Sequence, residues 1–175
     1  SDTFISAVRE VAEGLVRTGF RKIVILNGHG GNSDHVGVAG QDLVNRLGLP
    51  ATVASCNYWD IARAALVQED LLPVSRIPGH AGHFETALIM ALRPDWVDVD
   101  ALASVKDESE ADSGLDVNLA GAVVQTYGAW PASPGHTDNP AAATPELGHA
   151  MLEIMVAEVA RFYSDFERIP GPVED

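Results

Sequence analysis

The feature that most constrains the fold is a short apolar run that leads directly into a group of glycines. Lys22 to Leu26 reads KIVIL, with no alternation of polar and apolar residues. This is typical of a strand that is buried on both faces of a sheet. Apolar residues with helical spacing precede it between Ser1 and Thr18, and a second helical stripe follows from Val36 to Leu47. We therefore expect a strand that is covered by helices.

The same alternation continues along the chain. Ala51 to Ser55 (ATVAS) predicts a second buried strand, and the patterns at Asp60–Leu66, His83–Leu92 and Thr144–Phe166 predict helices. Strands that alternate with helices build a parallel sheet with helices on both faces. The fold class is therefore predicted to be α/β, with a mostly parallel sheet.

The rest of the chain is less regular. Asp98 to Pro140 is rich in Asp, Ser, Ala, Gly and Pro, so we expect long loops there, with a weak strand candidate at Ala122–Tyr127. A length of 175 residues suits one domain. Residues 1–168 are accordingly predicted to form a single α/β domain, and residues 169–175 a frayed, acidic tail.

The charge of the chain excludes some classes of partner. Eleven Lys and Arg against 25 Asp and Glu give a net charge of −14, which argues against binding to nucleic acid or to an anionic membrane. A single cysteine rules out an internal disulfide framework. There is no apolar segment of about 20 residues and no signal-peptide pattern, so we expect a cytoplasmic protein.

A first candidate site follows the KIVIL run, where His29 stands among Gly28, Gly30 and Gly31. Ligands of open α/β sheets bind at the carboxyl ends of the strands, and glycines allow a metal or a substrate to approach the backbone of Gly30 and Gly31. A phosphate loop is disfavoured because the GxGxxG spacing and a lysine are missing. A glycine turn with an incidental histidine remains the alternative.

A second candidate site is the segment GHAGHFET. Glu85 lies near the start of an apolar helix, where a charged group needs a partner, and His80 could be that partner in proton transfer. Alternatively, the helix dipole alone favours the carboxylate. His83 is a weaker candidate, on a helix face or at a pocket mouth. We interpret His136 and Asp138 as ordinary loop residues.

An aromatic pair follows the second predicted strand and therefore lies at the same sheet edge. Trp59, in the segment NYWD, could close over a small planar substrate. It could equally anchor the core, since aromatic side chains contribute large buried areas. The residues alone leave both alternatives open.

Four segments in this order, GFRKIVILNGHGGN, NYWD, GHAGHFETALIMALRPDWVD and HTDNPAAATPELGHAM, resemble the creatininase (creatinine amidohydrolase) family. The resemblance covers nearly the whole chain. It implies a three-layer α/β/α sandwich, a homo-oligomer (commonly a hexamer) and a small-molecule substrate. It also implies hydrolysis of a C–N bond at a pair of divalent metals. Imidazole and carboxylate ligands accept Zn, Mn and Fe alike.

The resemblance assigns a role to individual residues. His29 matches a metal ligand, His80 the histidine that moves protons and Glu85 the glutamate that accompanies it. Trp59 matches an aromatic residue that closes over creatinine.

Two positions depart from the creatinine-hydrolysing members of the family. Gly31 stands where those members have a metal-ligating glutamate, and Arg76 stands where they have a second pocket tryptophan. Arg76 would suit an anionic group of the substrate. These two departures from the family pattern therefore predict that creatinine is turned over poorly.

The other family ligands, Glu-x-His followed by Asp, lie on an N-terminal segment, and Ser1 to Arg21 contains no such pattern. The chain thus resembles the C-terminal two-thirds of a family member, and we expect most metal ligands to come from a segment outside it. The alternative function is that of a non-catalytic subunit acting through protein–protein interaction.

Overall fold

The computed structural model describes residues 1–73, 76–105, 118–119, 122–124 and 126–173, and for 118–119 and 122–123 it describes the backbone. Among these residues, seven α-helices and four β-strands follow one another along the chain. In order they are α1 (Asp2–Arg17), β1 (Lys22–Asn27), α2 (Ser33–Gln41), β2 (Thr52–Asn57), α3 (Tyr58–Gln68), α4 (His83–Leu92), α5 (Val99–Ala103), β3 (Asn118–Leu119), β4 (Ala122–Val123), α6 (Ala129–Ala132) and α7 (Pro145–Arg168).

The contacts divide the chain into two compact units, one of Ser1–Ala62 with Met155–Asp175 and the other of Arg63–Ile154. We call them the sheet unit and the loop unit. In the sheet unit β1 and β2 pair in parallel, with Lys22 opposite Thr52 and Asn27 opposite Asn57. The prediction of a parallel α/β arrangement is confirmed. Both strands end at the same edge, in register.

The core of the sheet unit forms between α1 and the first strand. Ala12 and Val16 of α1 are buried with Ile23, Leu43 and Ala51, because the apolar stripe of the amphipathic helix packs on the sheet. Helix α1 ends where Gly19 takes a φ of 105°, a left-handed conformation that glycine adopts without strain. The predicted end of this helix near Gly19 is thus confirmed.

The prediction that both strands are buried on both faces is wrong for this chain. In β1 only Ile23 and Asn27 are buried, and Leu26 is 38% exposed. No residue of β2 is fully buried, and Ser55 is exposed. The physical reason is that the described residues cover the two faces unequally: Ile23 and Ile25 face the core, whereas the alternate residues Val24 and Leu26 point to the other face and are half-buried and exposed.

The loop unit is centred on the apolar helix α4, whose Phe84, Ala87 and Leu88 are buried. The first turn of helix α7 packs against α4 at Gly148. A Cβ at this position would lie 2.0 Å from the carbonyl oxygen of Ala87. The two helices can approach this closely only because position 148 has no side chain. The predicted cap of α7 is confirmed, since the Thr144 hydroxyl accepts a hydrogen bond from the Leu147 N–H at 3.1 Å.

The region between Asp98 and Pro140 has more secondary structure than expected. Two short helices, α5 and α6, lie in it, and β3 pairs antiparallel with β4. The strand predicted at Ala122–Tyr127 is therefore present but ends at Val123. Residues 106–117, 120–121 and 125, and also 74–75 and 174–175, lie outside the described residues. Of the helices that are described, none is long and apolar enough to cross a membrane.

Candidate functional site

His29 lies two residues beyond the end of β1, and the side chain of Asn27 fixes its backbone at two points. Asn27 Nδ2 donates a hydrogen bond to the His29 carbonyl at 2.8 Å, and Asn27 Oδ1 accepts one from the His29 N–H at 3.2 Å. Asn27 is 5% exposed and is the buried polar residue of the described core. The residue that carries the imidazole is therefore held by an inward-facing amide, while His29 itself is exposed.

The amide of Asn27 belongs to a polar network at the carboxyl edge of the sheet. Its Nδ2 also donates to Asn57 Oδ1 at 2.6 Å, and the Ser33 hydroxyl donates to the same oxygen at 3.1 Å. Asn57 Nδ2 in turn donates to Asp60 Oδ2 at 2.7 Å, at the start of α3. The network ties the first turns of α2 and α3 to the ends of both strands.

The glycines around His29 differ in what they allow. A Cβ at Gly31 would lie 3.0 Å from His29 Cε1 and 3.3 Å from its Nδ1, whereas a Cβ at Gly28 or Gly30 would meet no atom within 4 Å. The ring position therefore depends on Gly31, and the backbone of Gly28 and Gly30 is open to a ligand. The phosphate-loop alternative gains no support from this geometry, since the helical turn at Gly30–Asn32 has three residues.

An exposed imidazole with cleared space beside it fits one ligand of a divalent metal. It does not make a complete metal site by itself. Among the residues that the structure describes, no three His, Cys, Asp or Glu side chains lie close enough together to hold a metal ion. His29 therefore fits as a single ligand, and a full set of donors is not formed by the described part of the chain.

His80 lies in the loop unit and is also held at two points of its backbone, here by Thr137. The His80 N–H donates to the Thr137 hydroxyl at 2.8 Å, and the Thr137 N–H donates to the His80 carbonyl at 2.9 Å. The ring meets Trp130 edge-to-face, with centroids 4.8 Å apart. The next residue, Ala81, has a φ of 45°, a conformation that costs free energy for any residue with a side chain.

Glu85 contacts the backbone of the turn that contains Ala81. Its Oε2 accepts a hydrogen bond from the Ala81 N–H at 2.6 Å, so the described contact of the carboxylate is with the loop backbone and not with the His80 ring. Glu85 also lines a groove of about 480 Å³ with apolar neighbours that include Ile89, Trp96 and Leu102. A small molecule in this groove would have a carboxylate at one wall and aromatic and aliphatic surface at the others.

Asp138 fixes the start of α4. Its Oδ1 accepts a hydrogen bond from the His83 N–H at 2.7 Å, and its Oδ2 is buried without a partner among the described residues. Both ring nitrogens of His83 are likewise buried and unpartnered there. Burial lowers the pKa of His83, and the charge of Arg76 lowers it further, while the charge of Asp138 acts in the opposite direction.

Two predicted binding residues have clear positions. Trp59 is 4% exposed and packs edge-to-face on Tyr58, with centroids 5.1 Å apart; this burial favours the alternative of a core anchor. Arg76 is half-buried in the loop unit, and its backbone N–H donates a hydrogen bond to the Pro73 carbonyl at 2.9 Å. The sheet unit thus contains His29, Trp59 and the glycines, and the loop unit contains His80, Glu85 and Arg76.

The residues that hold His29 and the loop formed by residues 79–83 were not among those predicted from the sequence. Asn27 and Asn57 end the two strands in register, and the repeated Asn after an apolar run was an available signal. Thr137 and Asp138 lie 57 and 55 residues from their partners His80 and His83. No local pattern indicates such a contact.

The chain is similar to proteins of a known family. A family model described as creatinine amidohydrolase (creatininase) matches residues 1–163. The creatinine amidohydrolase of Pseudomonas putida is 30% identical over 172 residues, a match that covers 90% of this chain and 60% of the relative. The chain thus spans about 60% of the length of that curated relative.

Solved structures give the same result. A crystal structure of creatininase matches 96% of this chain and 64% of its own, with a TM-score of 0.71 and 27% identity. A structure described as "Creatininase Mn" matches 97% of this chain and 65% of its own, with a TM-score of 0.72 and 27% identity. The α/β fold expected from the resemblance is confirmed. This chain therefore belongs to the creatininase family.

Proposed function

We propose that these residues are part of a metal-dependent amidohydrolase that cleaves a C–N bond, in an amide, cyclic amide or formamide, of a small molecule. The observation that carries the proposal is the geometry of His29. Its imidazole is exposed at the carboxyl edge of a parallel sheet, its backbone is fixed by Asn27, and Gly31 keeps the space beside the ring clear. Membership in the creatininase family supports the same chemistry.

In this proposal His29 is one ligand of a divalent metal pair, Zn, Mn or Fe, and most other ligands come from a segment outside these 175 residues. Two findings support it: one similar structure is described as a creatininase with Mn, and this chain spans only part of its relatives. When bound, such a metal pair activates water and polarises a carbonyl group. The part of this chain in that site is to present one imidazole in a fixed place.

His80 transfers a proton to the leaving nitrogen, and Glu85 orients the loop that carries His80. Two features support these roles. The His80 backbone is fixed by Thr137, and the Glu85 carboxylate holds the Ala81 N–H, so the imidazole projects from a turn whose peptide groups are tied on both sides. A proton-transfer group must be held within hydrogen-bonding reach of the atom it serves.

For the substrate, we propose an N-formyl, peptide-like or acidic amide in place of creatinine. Arg76 supplies a positive charge where the creatinine-hydrolysing members have an aromatic ring, and a guanidinium suits a carboxylate or a phosphate. Gly31 removes a carboxylate that would repel an anion. We propose that Gly30, Gly31 and Trp59 line the bound substrate; for Gly30 the support is its open backbone, and for Trp59 it is the family resemblance alone, since its side chain is buried.

We also propose a cytoplasmic homo-oligomer, a hexamer by analogy with the family. The acidic composition supports the exclusion of nucleic acids and membranes as partners. The oligomeric state can be measured by light scattering.

The decisive experiment compares His29→Ala with His35→Ala in the protein expressed from its full native gene. His35 is a control on the same loop-to-helix segment: its Nδ1 lies 3.1 Å from the Gly31 carbonyl in an exposed contact that water can replace. We expect His29→Ala to lose most of the bound divalent metal and nearly all hydrolysis, whereas His35→Ala keeps most of both. Unchanged metal content in His29→Ala would refute the assignment.

A substrate panel tests the second part of the proposal. We expect faster hydrolysis of anionic formamides and amides than of creatinine, and a loss of this preference in Arg76→Gln. Hydrolysis of creatinine as the best substrate of the panel would refute the substrate proposal while leaving the amidohydrolase proposal intact.

A further inference from the structure

We infer that Thr137 and Asp138, from the segment His136–Asp138, are positioning residues that set the place of the His80 imidazole. The inference rests on the proposed function, since it assigns to this segment the task of aiming the proton-transfer histidine. Neither residue touches the reacting atoms in this account. They act through the backbone of the loop formed by residues 79–83, which we call the histidine loop.

Thr137 and the histidine loop exchange two hydrogen bonds. The hydroxyl accepts from the His80 N–H at 2.8 Å and the Thr137 N–H donates to the His80 carbonyl at 2.9 Å. Both peptide groups that flank the His80 Cα are therefore fixed by one residue. A side chain whose Cα and neighbouring peptides are fixed retains only its own rotamers, which is the kind of order that a proton-transfer group requires.

Asp138 fixes the other end of the loop. Its Oδ1 accepts from the His83 N–H at 2.7 Å, and this carboxylate occupies the space that a side chain at Gly82 would need. A Cβ at Gly82 would lie 1.4 Å from Asp138 Oδ1. The loop and the carboxylate are thus complementary, because glycine at position 82 is what admits the aspartate.

One further contact and one backbone conformation show that the arrangement is specific. His136 Nδ1 lies 2.6 Å from the Asp138 carbonyl oxygen, which braces the segment itself. Between the two fixed points, Ala81 is held at a φ of 45°. A residue with a side chain keeps such a conformation only where its surroundings determine it, and here the fixed points at His80 and His83 do so.

Two substitutions at Thr137 distinguish the effect of its hydroxyl from the effect of its side-chain volume. Thr137→Val keeps the shape and removes the hydroxyl, whereas Thr137→Ser keeps the hydroxyl. Amide hydrogen exchange of the protein expressed from its full native gene, read at the His80 amide by NMR, measures the contact directly. We expect Thr137→Val to speed exchange at the His80 amide about tenfold and Thr137→Ser to leave it within about twofold, because only the first removes the acceptor. Thr52→Val, which removes a hydroxyl bonded to the Pro170 carbonyl in the sheet unit, should not change it.

The matched pair at Asp138 extends the test to the second fixed point. Asp138→Asn keeps an oxygen for the His83 N–H, and Asp138→Ala does not. Exchange at the His83 amide should rise about tenfold in Asp138→Ala alone. Equal exchange in all variants would overturn the inference whether or not the protein is an amidohydrolase.

Kinetics of the protein expressed from its full native gene distinguish aiming from mere stability. Thr137→Val should lower kcat by about tenfold to a hundredfold, the range for a misplaced catalytic group, with KM and metal content unchanged and with Thr137→Ser close to wild type. A lower melting temperature with unchanged kcat would overturn the positioning role. Absence of hydrolysis in the wild type would refute the proposed function. The exchange measurements would then still test whether Thr137 and Asp138 hold the histidine loop.

Discussion

Asn27 is the side chain that this structure makes most costly to remove from the candidate site. It is 5% exposed and, besides a long contact of 3.5 Å from its Nδ2 to the Ser33 hydroxyl, it forms three shorter hydrogen bonds, at 2.6, 2.8 and 3.2 Å. Each contributes about 1 kcal/mol net. Its partner Asn57 Oδ1 keeps the bond from Ser33, and the exposed His29 peptide regains water. Asn27→Ala should therefore lower the free energy of unfolding by about 2 to 3 kcal/mol.

Urea denaturation followed by circular dichroism measures this difference. With a slope of about 2 kcal/mol per molar urea, the midpoint should fall by about 1 M. The matched control is Asn45→Ala, because Asn45 is exposed on the turn after α2 and a surface change of this kind shifts stability by about 0.5 kcal/mol or less. A midpoint for Asn27→Ala that equals that of Asn45→Ala would refute the argument that this amide is a structural part of the site.

Two further predictions concern the loop unit and its packing. Gly148→Ala should destabilise the fold by about 3 kcal/mol, since its Cβ would collide with the Ala87 carbonyl. The control Gly37→Ala in α2, where no atom lies within 4 Å of the added Cβ, should be neutral or stabilising. Equal melting temperatures of the two variants would contradict this. Because burial and Arg76 lower the pKa of His83 from 6.5 in the folded state, the unfolded state binds more protons below pH 6.5 and the free energy of unfolding should fall there. His83→Gln should flatten this pH dependence, and parallel pH profiles of the two proteins would contradict the prediction.

The local pattern of the sequence was sufficient for the elements of the sheet unit. The apolar run of β1 and the glycines after it predicted a strand, a loop and a helix: β1 ends one residue beyond the predicted Leu26, whereas α2 begins three residues before the predicted stripe and ends at Gln41. The degree of burial was not predictable in this way. A continuous apolar run implies that both faces of the strand are covered, and in β1 the face of Ile23 and Ile25 packs on the described core while Leu26 on the other face is exposed.

The candidate site likewise has residues that the sequence predicted and residues that it did not. We could predict His29, His80 and Glu85 from the sequence, because glycines beside a histidine and a carboxylate at the start of a helix are local patterns. The residues that hold them do so through contacts that span as many as 57 positions. A threonine or an aspartate in an irregular segment has no periodicity that would reveal such a partner, so Thr137 and Asp138 could be recognised only from coordinates.

The most direct test of the account is the dependence of hydrolysis on metal and on His29 in the protein expressed from its full native gene. The protein is stripped with a chelator, and release of amine from the best amide or formamide of the panel is followed as Mn²⁺ or Zn²⁺ is added back. The account predicts that hydrolysis is lost on stripping, returns with metal in the wild type and does not return in His29→Ala. Full hydrolysis by the stripped protein, or equal recovery in His29→Ala, would contradict it.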